Sequence, residues 1–199
     1  HAPARFPVQF VVRPMTEAYH DYRGYAGKIS SGTFKVGDSI RVLPTGQEST
    51  IATIEKFESK LSHAIAGDSV TITLTTDVDI SRGNTLVLAS EDQAPQLKDF
   101  SAQVCWLDHT ALTPGKTYLL QHGINITKAK ISQITERLDV ATQSATEGVS
   151  NLQLNEIGTI ALRTAQPISA DQYATNPANG AFILIDEFSN STVGVGFVK

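Results

Sequence analysis

Apolar and polar residues alternate along much of the chain, most clearly between positions 66 and 88. The alternating apolar positions there are Val70, Ile72 and Leu74. A period of two with β-branched residues predicts a half-buried strand. Asp77 and Asp79 follow it, the pair Arg82 and Gly83 predicts a turn, and a second apolar run comes after them. We therefore predict a strand, an acidic loop, a turn and another strand.

The same pattern recurs along the whole chain, with turn residues every eight to twelve positions. It predicts an all-β protein made of two consecutive small β-barrels. The first barrel is predicted over residues 5–89 and the second over residues 98–199. Residues 90–97 are polar, contain a proline, and are predicted to be a linker. Residues 140–155 are polar and are predicted to be a loop with a turn of helix.

Composition and charge narrow the possible functions. The chain has 199 residues, 41% of them hydrophobic, and a net charge of −4. We expect no nucleic-acid partner, because such binders carry a basic excess or a basic face and the sequence has no cluster of Lys and Arg. The single cysteine favours a reducing, cytoplasmic setting. No apolar run approaches the ~18 residues of a membrane span, so we expect no membrane association.

The sequence contains no constellation of catalytic residues. Gly115-Lys116-Thr117 resembles the end of a phosphate loop, but the residues after it predict a strand instead of the required helix N-terminus. The five histidines lack metal-ligand spacing, and we expect no metal or cofactor site. One alternative is that Asp77 and Asp79 form a catalytic acid–base pair on one face of a strand. We interpret them instead as solvated loop carboxylates.

Several short motifs carry a family resemblance. Gly24-Tyr-Ala-Gly27, Ala66-Gly-Asp68 and Asp79-Ile-Ser-Arg-Gly83 resemble domain 2 of the translation-factor GTPases, the barrel of elongation factor Tu and its relatives. The second half of the chain is similar to the third domain of that superfamily. A narrower resemblance runs from Arg5 to Val198, and it is to the large, GTPase subunit of bacterial sulfate adenylyltransferase. Its most specific motifs are Asp21-Tyr-Arg-Gly-Tyr-Ala-Gly27, Asp171-Gln-Tyr-Ala-Thr-Asn176 and Ser189-Asn-Ser-Thr-Val-Gly194.

The resemblance implies a non-catalytic role for this part of the family architecture. GTP and Mg²⁺ would bind an N-terminal G domain, and none of that domain's motifs occur in this sequence. Formation of adenylylsulfate from ATP and sulfate would belong to the small subunit. The implied partners are therefore the chain's own G domain and the small subunit of sulfate adenylyltransferase, which the barrels would couple.

We expect the loop at residues 19–23 to be an interface. Tyr19, Asp21, Tyr22 and Arg23 include aromatic residues and an arginine, which are enriched at interaction hot spots. Asp79, Arg82 and Gly83 are predicted to be structural residues of a turn. An exposed Asp79–Arg82 pair across that turn would contribute roughly 0–1 kcal/mol.

An alternative function is that of barrels 2 and 3 of a translation factor, which bind aminoacyl-tRNA. Translation factors and the sulfate-activation GTPase share these folds, so the fold does not separate the two functions. The net charge of −4 and the lack of a basic stripe argue against an RNA partner. A free-standing enzyme that uses Asp77 and Asp79 ranks third.

Overall fold

A computed structural model describes residues 2–13, 22–57, 59–91 and 94–199. The chain divides into two compact units, His1–Ala94 and Pro95–Lys199, which we call the first and the second barrel. Within the described residues every regular element is a β-strand and no helix occurs. The prediction of an all-β protein with two small barrels is confirmed.

The first barrel is built from short strands connected mostly by tight turns. They are β1 (Arg5–Pro7), β2 (Phe10–Val12), β3 (Gly24–Lys28), β4 (Thr33–Lys35), β5 (Ser39–Leu43), β6 (Glu48–Lys56), β7 (Ser59–Leu61), β8 (His63–Ile65), β9 (Ser69–Leu74) and β10 (Thr85–Leu88). The main sheet has the order β1-β10-β5-β6-β9-β3-β2, with β7 paired to β6. Strands β4 and β8 form a separate two-stranded sheet. Strand β1 also lies beside the segment that follows β3. Two backbone hydrogen bonds hold it there, from Arg5 N to Ser31 O (3.0 Å) and from Ser30 N to Arg5 O (2.9 Å).

Alternation of side chains fills the interior of the first barrel. Ile54 on β6 and Ile72 on β9 are register partners and both are buried, whereas the threonines next to them point outward. Gly27 on β3 is required by a close approach of two chain segments. A Cβ at that position would lie 2.3 Å from the backbone oxygen of Pro7, which cannot move away cheaply.

The second barrel is a closed sheet. Its strands are β11 (Gln96–Trp106), β12 (Thr117–His122), β13 (Asn125–Asp139), β14 (Ser144–Glu147), β15 (Ile157–Ser169), β16 (Ala181–Ile185) and β17 (Thr192–Val198). Six of them follow the order β12-β16-β17-β11-β15-β13, and the pairing of β13 with β12 closes the ring. Strand β11 begins at Gln96, within the stretch predicted to be a linker.

Aromatic residues order the core of the second barrel. The rings of Trp106 and Tyr118 meet edge to face with centroids 5.4 Å apart, and Trp106 Nε1 donates to Thr110 O at 2.8 Å. Phe182 packs against Gly196, where a Cβ would lie 2.2 Å from the ring. Trp106 on β11, Tyr118 on β12 and Phe182 on β16 are all buried, because each occupies an inward-facing position of its strand.

The prediction for residues 140–155 is wrong in part, because strand β14 lies inside that stretch. Ser144–Glu147 pairs with the end of β13 from Glu136 to Asp139. All four residues of β14 are exposed. A strand that buries neither face has no apolar alternation, so its pattern resembles that of a loop.

Candidate functional site

An open groove of about 740 Å³ lies over the outward side of β3, β6 and β9 in the first barrel. Thr53 on β6 is the register partner of Thr73 on β9, and Thr73 is the partner of Gly24 on β3. These outward positions alternate with the buried isoleucines of the core. The charged and aromatic residues that line the groove are Arg13, Tyr22, Arg23, Tyr25, Glu55, Lys60 and Asp77.

A chain of hydrogen bonds crosses the floor of the groove. The Tyr22 hydroxyl donates to Glu55 Oε2 at 2.9 Å, and Thr53 Oγ1 donates to Glu55 Oε1 at 2.9 Å. Thr53 and Thr73 are joined through their hydroxyls at 2.7 Å. Partial burial, followed by the hydrogen bond to Glu55, raises the pKa of Tyr22 to about 12. Tyr22 therefore stays protonated and acts as a donor over the physiological pH range.

Arg23 organises the rim of the groove. Its guanidinium donates to the Asp77 carboxylate, lies 4.0 Å from Asp79 Oδ1, and stands 5.9 Å from the centroid of the Tyr25 ring. The Tyr25 hydroxyl in turn donates to Val78 O at 3.3 Å. Arg23 is only 21% exposed, whereas Asp77 is 78% exposed, so the carboxylate side of this pair faces solvent. Together these contacts hold the acidic loop against β3.

Half of the predicted interface loop lies within the described part of the chain. Tyr22 and Arg23 both line the groove, whereas Tyr19 and Asp21 lie outside the described residues. Glu55 and Lys60, which line the groove beside them, were not predicted from the sequence. These two are register partners on β6 and β7, a cross-strand pair of opposite charge. No local signal shows that this hairpin meets Tyr22.

The turn residues predicted from the sequence are held by backbone contacts. Arg82 donates to Gln9 O at 2.8 Å, and Gly83 N donates to Val8 O at 2.9 Å. Gly83 has a φ of 97°, a left-handed conformation that glycine adopts without strain. Asp79 lies near Arg23, and the ion pairs of the described residues do not include the expected Asp79–Arg82 pair.

The carboxylates of Asp77 and Asp79 both face Arg23. They lie in the loop after β9, which ends at Leu74, so they do not share the face of a strand. Asp77 accepts a hydrogen bond from Arg23, and Asp79 Oδ1 lies 4.0 Å from the same guanidinium. The arrangement therefore supports an ion-paired loop and not an acid–base pair.

The most specific C-terminal motif forms a buried network in the second barrel. Asp171 Oδ2 accepts hydrogen bonds from Asn176 Nδ2 at 2.8 Å and from Asn179 Nδ2 at 2.9 Å. Asn179 O lies 2.9 Å from His122 Nε2, which must carry the proton because a carbonyl oxygen only accepts. Burial lowers the pKa of His122. All four side chains are buried, so this network fixes a loop and offers no surface to a ligand.

The residues that resemble a phosphate loop do not fit a nucleotide. Gly115 lies in a turn, and Thr117 opens strand β12 instead of a helix, so the amide groups that hold phosphate are not arranged there. Among the described residues, no group of three or more His, Cys, Asp and Glu side chains is placed to hold a metal ion. Nor does that part of the chain contain a helix with the length and hydropathy of a membrane span.

Comparison with known proteins confirms both resemblances. Residues 25–87 match the family model of elongation factor Tu domain 2, and residues 99–199 match that of the GTP-eEF1A C-terminal domain-like family. Sulfate adenylyltransferase subunit 1 of Cellvibrio japonicus is 43% identical over 194 residues, which are 98% of this chain. The bifunctional enzyme CysN/CysC of Mycobacterium tuberculosis is 38% identical over 195 residues, again 98% of this chain.

The relatives are considerably longer than this chain. It covers 40% of the C. japonicus protein and 32% of the M. tuberculosis protein. Among solved structures, Sup35 complexed with GMPPNP matches 99% of this chain and 47% of its own, with a TM-score of 0.83 and 21% identity, which shows a shared fold. The chain therefore belongs to the GTP-eEF1A C-terminal domain-like family, with an elongation factor Tu domain 2 barrel preceding that domain.

Proposed function

We propose that the chain is the barrel region of the large subunit of a sulfate adenylyltransferase. The observation that carries the proposal is 43% identity to such a subunit over 98% of the chain. In this role the barrels are non-catalytic and couple a GTP-hydrolysing G domain to the small subunit, which makes adenylylsulfate from ATP and sulfate. GTP and Mg²⁺ bind the G domain and not these barrels. The assembly works in the cytoplasm.

The groove of the first barrel is the contact surface for one of these two partners. Its Tyr22 and Arg23 side chains are already held by Glu55 and Asp77, so binding would cost little side-chain entropy. Lys60 and Arg13 add positive charge at its edges, and the mixed charges suit a polar protein surface. An arginine and a tyrosine at the centre of such a surface are typical hot-spot residues.

A calorimetric titration of the chain tests the proposal. The chain is titrated with the purified small subunit of a sulfate adenylyltransferase, and in parallel with aminoacyl-tRNA. Binding to the subunit without binding to tRNA supports the proposal. Binding to tRNA that weakens as salt is added would instead support a translation-factor function. Absence of binding to the small subunit would remove the coupling role.

A charge reversal in the groove tests the contact surface separately. Arg23→Glu should weaken binding to either the small subunit or a purified G domain by at least about tenfold. Arg41→Glu is the matched control, because Arg41 also forms an ion pair in the same barrel, with Glu48, but does not line the groove. Equal affinity of Arg23→Glu and the unaltered chain for both partners would exclude the groove.

A further inference from the structure

The turn between β16 and β17 of the second barrel presents a phenylalanine to solvent. Phe188 is 94% exposed. Asp186 Oδ1 accepts hydrogen bonds from Phe188 N at 3.0 Å, from Ser189 N at 2.8 Å and from Ser189 Oγ at 3.1 Å. A backbone bond from Asp186 N to Ser191 O at 2.9 Å closes the turn. The backbone is thus fixed by several bonds, and the large apolar side chain is held in water at its tip.

A basic depression of about 330 Å³ adjoins this turn. Its cationic residues are Lys98, Lys128, Lys130 and Arg163. They come from β11, β13 and β15, which are far apart in the sequence and adjacent in the sheet. Lys128 Nζ lies 2.9 Å from the carboxylate of Glu187, the neighbour of Phe188, so depression and turn form one continuous surface. We call these four cations and Phe188 the Phe188 surface.

The positive charge of this surface is only partly neutralised. Lys130 and Arg163 are register partners on adjacent strands, where like charges repel each other. Arg163 pairs with Asp99 at 3.5 Å, but both side chains are 64% exposed, so the pair is weak. Lys98 and Lys130 form no ion pair with any carboxylate of the described residues. A local cationic excess on a chain of net charge −4 favours a negatively charged partner.

The surroundings of Phe188 favour a protein partner over a nucleic acid. Asp186 and Glu187 stand next to it, and a base stacked on the Phe188 ring would bring its phosphate close to these two carboxylates. A protein surface avoids this conflict when its carboxylates lie only on the side of the pocket that faces the lysines. It can receive an aromatic side chain in an apolar pocket and meet the lysines with its own Asp and Glu side chains.

We propose that the Phe188 surface binds the small subunit of sulfate adenylyltransferase, at an apolar pocket bordered by acidic residues. Phe188 fills the pocket, and Lys130 and Arg163 face the carboxylates at its edge. The inference rests on the proposed function above and names the second-barrel residues that carry out the coupling. The attraction between these two cations and the partner's carboxylates would also make association faster at low ionic strength.

The test is a binding series with the purified small subunit. Phe188→Ala should lower the affinity at least about tenfold, since truncation of a buried aromatic anchor removes most of its contact area. Phe57→Ala is the matched control, because Phe57 is 98% exposed and lies in the first barrel.

The double variant Lys130→Glu with Arg163→Glu tests the charged part of the surface. It should slow association about tenfold or more, and added salt should reduce the difference in association rate. Lys35→Glu, an exposed charge of the first barrel, is its control.

Each outcome decides between the two proposals. Binding by the unaltered chain with loss only in the Phe188 and Lys130/Arg163 variants supports the inference. Equal binding by the unaltered chain and all variants overturns the inference and leaves the proposed function standing. Equal losses in Phe57→Ala and Phe188→Ala also overturn it, because the contact would then be non-specific. Absence of binding by the unaltered chain, or binding of tRNA that depends on Lys130 and Arg163, overturns both. Thermal unfolding checks that the variants are folded.

Discussion

Two hydrogen-bonded networks in this chain both depend on carboxylate acceptors, but one network is buried and the other lies at the surface. In the second barrel, Asp171 accepts bonds from two asparagine side chains, and all three residues are buried. On the groove wall of the first barrel, Tyr22 and Arg23 bind Glu55 and Asp77, and the acidic partner Asp77 is 78% exposed. The buried network is closed to any partner, whereas the groove network is open to solvent.

The difference predicts that the buried network matters for stability and that the groove network is available for binding. A polar group deep in a barrel loses its water, so removing one of its hydrogen-bond partners leaves an unsatisfied group at high cost. A polar group on the groove wall regains water when its partner is removed, and the cost is small. Substitutions in the two networks should therefore separate cleanly into effects on folding and effects on binding.

Asp171→Ala should have the largest effect on stability. The change leaves the side-chain amides of Asn176 and Asn179 without their buried acceptor, and we expect a loss of about 2–4 kcal/mol in the free energy of unfolding. Urea unfolding followed by Trp106 fluorescence measures this, because the chain has one tryptophan and it is buried in the second barrel.

Asp139→Ala is the control for Asp171→Ala. The Asp139 carboxylate accepts hydrogen bonds from Ala141 N at 2.8 Å and Thr142 N at 3.1 Å, but it does so on an exposed turn. Its removal should cost at most about 1 kcal/mol. If the two variants lost equal stability, the distinction between buried and exposed networks would fail.

Acid should destabilise the second barrel through His122. Burial lowers the pKa of His122 below its ordinary value of about 6.5, so the unfolded chain binds this proton more readily than the folded one. Stability is therefore full above pH ~6.5 and falls as the pH drops towards the folded pKa, by up to about 1.4 kcal/mol per pH unit. Trp106 fluorescence in urea at several pH values measures the loss.

His122→Gln separates this effect from general acid unfolding. A glutamine keeps an N–H donor for the Asn179 carbonyl, which His122 contacts at 2.9 Å, but it does not titrate. The stability of the variant should change less than that of the unaltered chain between pH 6.5 and pH 5. Parallel curves for both proteins would show that His122 is not the titrating group.

The fold could be predicted from the sequence because the alternation of apolar and polar residues that predicts strands also places the apolar side chains inside the barrels. Ile54 and Ile72 show this, since both alternate with polar residues and both are buried partners. Strand β14 was missed because all of its residues are exposed and it lacks that pattern. The strands were predicted from local alternation, which carries no information about pairing between distant segments.

The candidate site was predictable only in part for the same reason. Tyr22 and Arg23 were predicted as interface residues from their residue type, and both line the groove. Glu55, however, contacts Tyr22 across 33 positions of sequence, and no local pattern signals such a contact. The basic depression is formed by Lys98, Lys130 and Arg163, which are so far apart in the sequence that the chain shows no cluster of positive charge. The Asp171 motif was one of those that carried the family resemblance, and in the structure it holds a loop.

Removal of the Arg23–Asp77 ion pair at the groove should have only a small effect on the free energy of unfolding. A double-mutant cycle with Arg23→Ala and Asp77→Ala should give a coupling of about 0.5–1 kcal/mol, because Asp77 is mostly exposed and the pair is screened by water. Chemical unfolding followed by circular dichroism measures it. A coupling above about 2 kcal/mol would mean that the groove network stabilises the barrel as the buried one does.

Tyr22→Phe should have the smallest effect on stability near neutral pH, less than about 1 kcal/mol. The effect is small because Glu55 keeps its hydrogen bond from Thr53 and because the groove admits water.

The clearer effect of Tyr22→Phe lies at high pH. The raised pKa of Tyr22, about 12, means that the folded state keeps a proton that the unfolded state loses near pH ~10. This contribution to stability is complete below pH ~10 and is lost as the pH rises towards 12. An ultraviolet titration of the folded chain should therefore lose one late-titrating tyrosine in the variant, while Tyr118, whose burial raises its pKa to about 12, remains. An unchanged number of late-titrating tyrosines would show that Tyr22 is not held by Glu55 and that the groove network does not persist in solution.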